Sequence, residues 1–155
     1  MSMEIHVLSD RRLGSIAEWQ QAIDAEGIAL RLSDTTPFDA VDGHLPSQRG
    51  DNRVGGFECY HDPAPEFLQN DSDVDFGRPW SCVLSFRWGG NFAACASAWV
   101  AAAAYAKAVD GVVFDPEEGD IHTPERALQN ARDIEHDLPA IEAEFERWAR
   151  ERRDT

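Results

Sequence analysis

An alanine-rich run near the middle of the chain constrains the fold more than any other feature. From residue 93 to 108 the sequence is mostly alanine, the strongest intrinsic helix former, with Trp99, Val100 and Tyr105 supplying bulk. Lys107 is the only charge between Arg87 and Asp110. A helix apolar nearly all round belongs in an interior, and small side chains let it lie close against a sheet. The run is short for a membrane span and alanine is weakly hydrophobic, so burial in a protein core is the expected role. Asp110-Gly111 should stop the helix, because glycine suits the left-handed position past a helix end.

The flanks of this run read as strands. Cys82-Val83-Leu84-Ser85-Phe86-Arg87-Trp88 is rich in β-formers, with Arg87 facing outward. Val112-Val113-Phe114 follows the helix and is stopped by Pro116 and the turn Glu117-Glu118-Gly119. Strand, helix and strand of these lengths fit a crossover connection. Trp88, Trp99, Tyr105 and Phe114 are then core residues, each contributing about 1.5–3 kcal/mol on burial.

The chain opens with the same grammar. Glu4-Ile5-His6-Val7-Leu8 reads as a strand, and Ser15 with Glu18 forms a capping box ahead of a helix whose apolar face is Ile16, Trp19 and Ile23. Ile28-Ala29-Leu30-Arg31-Leu32 alternates like a half-buried strand. Residues 33–56 are rich in turn chemistry and read as a long loop, with at most a short strand near Val41. Gly56-Phe57-Glu58-Cys59-Tyr60 reads as a strand, Glu66 to Asn70 as a helical turn, and residues 71–77 as an acidic loop. Thr123-Pro124-Glu125 starts a helix with the stripe Ala127, Leu128, Ala131, Ile134 and Leu138. Pro139 is expected to break or kink it, and Ile141, Phe145 and Trp148 continue a stripe beyond.

These elements predict one α+β domain over residues 1–155. It has a mostly antiparallel sheet with helices packed on one face. Two ferredoxin-like strand–helix–strand halves fill residues 1–122, and C-terminal helices follow over 123–152.

Composition narrows the function. Twenty-nine acidic residues oppose fourteen basic ones, a formal net charge of −15. Such a chain repels nucleic acid and anionic membrane, so neither is expected as a partner, whereas a basic protein is favoured by complementary fields. Cys59, Cys82 and Cys95 read as reduced thiols, and no apolar leader or anchor is seen at the N-terminus, so a cytoplasmic location is expected.

The motifs that could carry chemistry fall short. Asp75-Phe76-Gly77 spells the kinase magnesium tripeptide without the rest of the kinase signature. Asp71, Asp73 and Asp75 begin like a calcium loop, but Phe76 and Cys82 stand where glycine and glutamate are required. Cys59 and His61 share a strand face, yet Glu58 and Asp62 make a poor setting for a thiolate. No zinc spacing, nucleophile elbow or phosphate loop occurs, so no catalytic residue, metal or cofactor is expected. What remains is acids around aromatics: Glu58, Asp62, Asp71, Asp73, Asp75, Phe76 and Trp80, with a second group at Glu117 and Glu118. Aromatic anchors among carboxylates suit a binder of basic protein surface, and these residues are the candidate partner site.

The Ser15-Ile16-Ala17-Glu18-Trp19 helix start, Gly55-Gly56-Phe57-Glu58, Phe86-Arg87-Trp88-Gly89-Gly90 and the segment Gly111-Val112-Val113-Phe114-Asp115-Pro116-Glu117-Glu118-Gly119 carry a resemblance. Across residues 4–130 the chain resembles small acidic bacterial immunity proteins of polymorphic or contact-dependent toxin systems. The resemblance implies a cytoplasmic inhibitor that binds a cognate, basic toxin and performs no chemistry of its own. Two alternatives stand beside it: a small-ligand protein or enzyme using a pocket near His6, Glu58 and His61; and a housekeeping α+β domain or homodimer whose acidity serves solubility.

Overall fold

Alternating apolar residues along seven segments build a single antiparallel sheet. In the computed structural model, which describes residues 3–33, 35–70 and 74–153, the strands are β1 (Met3–Ser9), β2 (Leu30–Leu32), β3 (Asp42–Arg49), β4 (Val54–Asp62), β5 (Cys82–Trp88), β6 (Val112–Asp115) and β7 (Asp120–His122). Their order across the sheet is β2-β3-β4-β5-β1-β6-β7. Four helices accompany them: α1 (Ile16–Ala25), α2 (Ala64–Asn70), α3 (Phe92–Val109) and α4 (Pro124–Arg153). The α+β class and the C-terminal helix follow the sequence expectation.

β5 and β6 flank β1, each antiparallel to it, so α3 crosses over one intervening strand. The central order β4-β5-β1-β6, with α1 and α3, is the ferredoxin-like arrangement. β2 and β3 extend it on one edge and β7 on the other.

The main core lies between the sheet and α1 and α3. Ile5 and Val7, Leu84 and Phe86, Phe57 and Cys59, and Leu45 point to that face and are buried, as strand alternation requires. Trp19 of α1 is 0% exposed. Its indole Nε1 donates to the Ala101 carbonyl at 2.9 Å, and its ring meets Phe38, Phe86 and Tyr105 edge-on or nearly so. The alanines of α3 permit this close approach. By length and composition α3 could cross a membrane, yet 67% of that window is buried inside this fold, which accounts for its apolarity.

Several local expectations are corrected. The segment read as a long loop contains β3, eight residues long, which pairs with β4 from Asp42↔Tyr60 to Gln48↔Val54. Its glycine and proline content hid it. Gly56 adopts φ +152° and lies so close to β3 that a Cβ would meet the Leu45 carbonyl oxygen at 2.3 Å. β7 was also not foreseen. The helices do not all share one face: α2 and residues 74–80 cover part of the opposite face, over Leu8, Val83 and Phe114.

Helix ends and interiors differ in detail too. Asp110, not Gly111, takes the left-handed position at the end of α3, at φ 55°. Gly111 is required for space, because a Cβ there would lie 2.4 Å from the Leu8 carbonyl oxygen. Pro139 does not end α4, which runs unbroken from Pro124 to Arg153. The helix is held on both sides of the proline, by the Arg49–Glu135 ion pair and by Arg53 Nη1 to Glu142 at 2.5 Å.

Candidate partner-binding surface

The sheet face turned away from α3 is only half covered. Strand register arranges its outward residues in rows. Glu4 of β1 stands beside Arg87 of β5, Arg87 beside Glu58 of β4, and Glu58 beside His44 of β3. In the next row His6 pairs with Ser85, Ser85 with Tyr60 and Tyr60 with Asp42. A third row, Leu8, Val83 and Asp62, runs under the apolar cover. Arg87, Glu58, His44 and Asp42 are exposed, so the β3–β5 part of this face meets solvent.

Cross-strand pairing organises the charges. Arg87 Nε lies 3.3 Å from Glu4 Oε2, and its guanidinium sits 5.5 Å above the Tyr60 ring. The Tyr60 hydroxyl donates to Glu58 Oε1 at 2.7 Å, and that bond is the main reason its phenol is held above the usual range. Glu4, Asp42, Glu58, Asp62 and Glu66 share this side of the sheet with Arg31 and Arg87.

A groove runs along the border between the covered and open halves. Its volume is about 300 Å³, and Glu4, His6, Asp62, Glu66, Phe67 and Arg87 line it together with Pro63 and Asn70. Beneath it lies a buried polar chain. His6 Nδ1 is 2.7 Å from Ser85 Oγ, and Ser85 Oγ in turn donates to Asp62 Oδ2. His6 is 3% exposed and Ser85 0%. Phe67 of α2 covers the imidazole at 4.5 Å between ring centres. Burial, the largest influence, pushes the His6 imidazole below its usual range, against the opposing charges of Glu4 and Asp62.

This geometry does not assemble a nucleophile. In a serine–histidine–carboxylate relay the serine hydroxyl donates its hydrogen bond to histidine, whereas here Ser85 donates it to Asp62 and is sealed from solvent. Cys59 is also sealed, and burial pushes its thiol far above the usual range. Among the described residues no group of three His, Cys, Asp or Glu side chains is placed to hold a metal ion.

The structure sorts the sequence-derived candidates. Glu58 is exposed on the open face, and Asp62 is partly buried at the groove where the apolar cover begins. Asp71 and Asp73 lie outside the described residues. Asp75 is exposed and accepts the Gly77 amide at 2.9 Å. Phe76 is corrected: it is 8% exposed and packs on Phe114 at 5.1 Å, so it is cover for the second face rather than an anchor for a partner. The physical cause is that β1, β5 and β6 are apolar on both faces there. Trp80 is half-buried, its Nε1 donating to the Phe76 carbonyl at 2.8 Å, with Arg78 stacked 4.9 Å from its ring. Glu117 and Glu118 are exposed in the β6–β7 turn, separated from Glu58 by β5 and β1. His61 is on the α-helical side, its Nε2 at 3.0 Å from the Phe38 carbonyl, so His6 and His61 do not share a pocket.

Sequence reasoning missed Glu4, Ser85, Arg87 and Tyr60 as members of this surface. The signal was present as alternation: Glu4 and His6, Glu58, Tyr60 and Asp62, and Ser85 and Arg87 each recur at two-residue spacing. The register that joins them was not.

A second exposed surface lies on α4 and the first residue of α3. Phe92, Ile141, Phe145 and Trp148 are 38–51% exposed, and Phe145 contacts both Phe92 and Trp148 at 5.6 Å. No protein-family model, no curated protein and no solved structure matches this chain.

Proposed function

We propose that this chain is a non-catalytic binding protein, an immunity-type inhibitor that seats a basic toxin on the open half of its sheet. The observation that carries the reading is the pattern of that face. Glu4, Asp42, Glu58, Asp62 and Glu66 stand on rigid, paired strands or beside them, and Tyr60 and Phe67 provide aromatic contact area among them. A rigid acidic platform on a chain of net charge −15 steers a cationic partner toward it, and aromatic side chains at its centre supply contact energy. Reduced cysteines fit action in the cytoplasm.

The test is co-expression with the product of a toxin-like gene beside this one, followed by association kinetics. The wild type is expected to protect cells and to associate faster at low salt. Charge reversal at Asp42 and Glu58 together should slow association by about tenfold and flatten its salt dependence. Association indifferent both to salt and to that double reversal would overturn the reading.

Self-association is a second reading, favoured by the α4 surface. Residues 133–146 of α4 carry Asp133, Glu135, Asp137, Glu142, Glu144 and Glu146 without a lysine or arginine, and residues 147–153 carry Arg147, Arg150, Arg152 and Arg153. An antiparallel second copy would lay its basic end against the acidic stretch and cover Phe145 and Trp148. Sedimentation velocity should then detect a dimer that Phe145→Glu dissociates. A wild-type chain that sediments as a monomer at the highest attainable concentration rules this reading out.

A further inference from the structure

The outer edge of the sheet at β2 is occupied by a side chain. β2 stands last in the strand order, paired to β3 on one side, and among the described residues no strand pairs with its other side. Ser33 N donates to the Pro46 carbonyl at 2.9 Å, so the odd-numbered residues of this segment spend their backbone groups on β3. Leu30 and Leu32 therefore turn theirs outward, where a further strand would bond. Gln20 of α1 takes that place. Its Nε2 donates to the Leu30 carbonyl at 2.7 Å, and its Oε1 accepts from the Leu32 amide at 2.7 Å. One carboxamide thus satisfies a carbonyl and an amide two residues apart, the pair that one residue of a neighbouring parallel strand would engage. The carboxamide is fixed in place. Gln20 Nε2 also donates to Asp24 Oδ1, one helical turn along, at 2.9 Å, and the buried Trp19 and Ile23 anchor α1 in the core.

We propose that Gln20 is a guard, which keeps the sheet from being extended by β2 of a second copy of this chain. A row of unpaired amides and carbonyls at a sheet edge is a template for pairing with another molecule. Leu30 and Leu32 bury their side chains in the core, so β2 keeps its place when the carboxamide is removed. Two such strands can pair antiparallel about a twofold axis at Arg31, each Leu30 carbonyl accepting from the Leu32 amide of the other copy. Arg31 is exposed, and in that arrangement it stands opposite its own counterpart. Like charges directly opposite each other oppose pairing, so Arg31 is a second and weaker deterrent. The guard acts at the sheet edge, and it is independent of which partner the open face receives.

The test is sedimentation velocity on the full chain carrying Phe145→Glu, so that association through α4 does not contribute. Phe145 is 51% exposed, and its replacement leaves the core intact. With Gln20 in place this chain is expected to remain a monomer. Adding Gln20→Leu removes the carboxamide at nearly constant size, and a dimer is expected to form as concentration rises. The Leu32 amide should then exchange its hydrogen fast in the monomer and slowly in the dimer. Gln20→Glu keeps an acceptor for the Leu32 amide without a donor for the Leu30 carbonyl, and this milder variant should associate more weakly. An equimolar mixture of the Gln20→Leu chain with one that also carries Arg31→Glu sets opposite charges across the axis. It should pair more tightly than either chain alone, by about threefold or more. Association through partly unfolded chains would be indifferent to residue 31. A Gln20→Leu chain that stays monomeric at the highest attainable concentration overturns the proposal, and so does association that the mixture fails to strengthen.

Discussion

Ser85→Ala is the sharpest test of the buried polar chain. The substitution removes one oxygen and leaves little cavity, so packing loss is minor. It deletes two hydrogen bonds at once, the 2.7 Å contact with His6 Nδ1 and the bond to Asp62. His6 is 3% exposed, so its Nδ1–H would be a buried donor without a partner, a defect worth about 1–3 kcal/mol. Asp62 is only partly buried and borders the groove, so water can replace its lost donor and little is added. The expected loss is therefore about 1–3 kcal/mol, or about 2–4 °C of melting temperature per kcal/mol for a chain of this size. His6 has one escape. Its proton can move to Nε2 and donate toward Glu4, which would hold the loss at the lower end. Urea unfolding with an unchanged m-value gives the first quantity, and the ring nitrogen shifts report the tautomer. A loss under about 0.5 kcal/mol with the Nδ1–H tautomer retained would refute the reading that His6 Nδ1 donates to Ser85.

Other outcomes follow from the same structure. His6 and His122 are both held below the ordinary imidazole value of 6.5, chiefly by burial. The unfolded chain therefore takes up protons first as pH falls below 6.5, so stability is fully present above that value and declines as pH drops toward the lower native values; urea midpoints across that range should fall, and a flat profile would contradict it. Gly111→Ala drives a methyl group against the Leu8 carbonyl, 2.4 Å away, and should cost about 1–3 kcal/mol by chemical denaturation. Pro139→Ala restores an amide for the residue 135 carbonyl in a helix that already runs through this site, so stability should rise, by up to about 3 kcal/mol, and a loss would show that the proline supports α4. Ala102→Leu, at a position 0% exposed, should overpack the core around α3 and lower stability by about 1–3 kcal/mol.

Much of the architecture was legible because it is encoded locally. The limits of β5 and α3 follow from β-rich and alanine-rich composition, and Ser15 caps α1 through its bond from the Glu18 amide at 3.1 Å. Trp19, Trp99, Tyr105 and Phe114 are buried as their apolar settings required. β3 escaped notice because Gly43, Pro46 and the turn at residues 50–52 mimic loop chemistry, and only pairing with β4 makes those residues a strand. Phe76 misled for a related reason. An aromatic among aspartates looks exposed in sequence, yet the second face of β1, β5 and β6 needed apolar cover and took it.

The chain's own residues determined its acidity, its central buried helix and the alternation that gives each strand two distinct faces. The groove was decided elsewhere. His6 and Ser85 are 79 positions apart, and Asp62 reaches Ser85 from a third strand. Propensity and periodicity act over a few residues, whereas register across a sheet is fixed by the packing of all its strands together, so which polar side chains become neighbours is a property of the assembled fold.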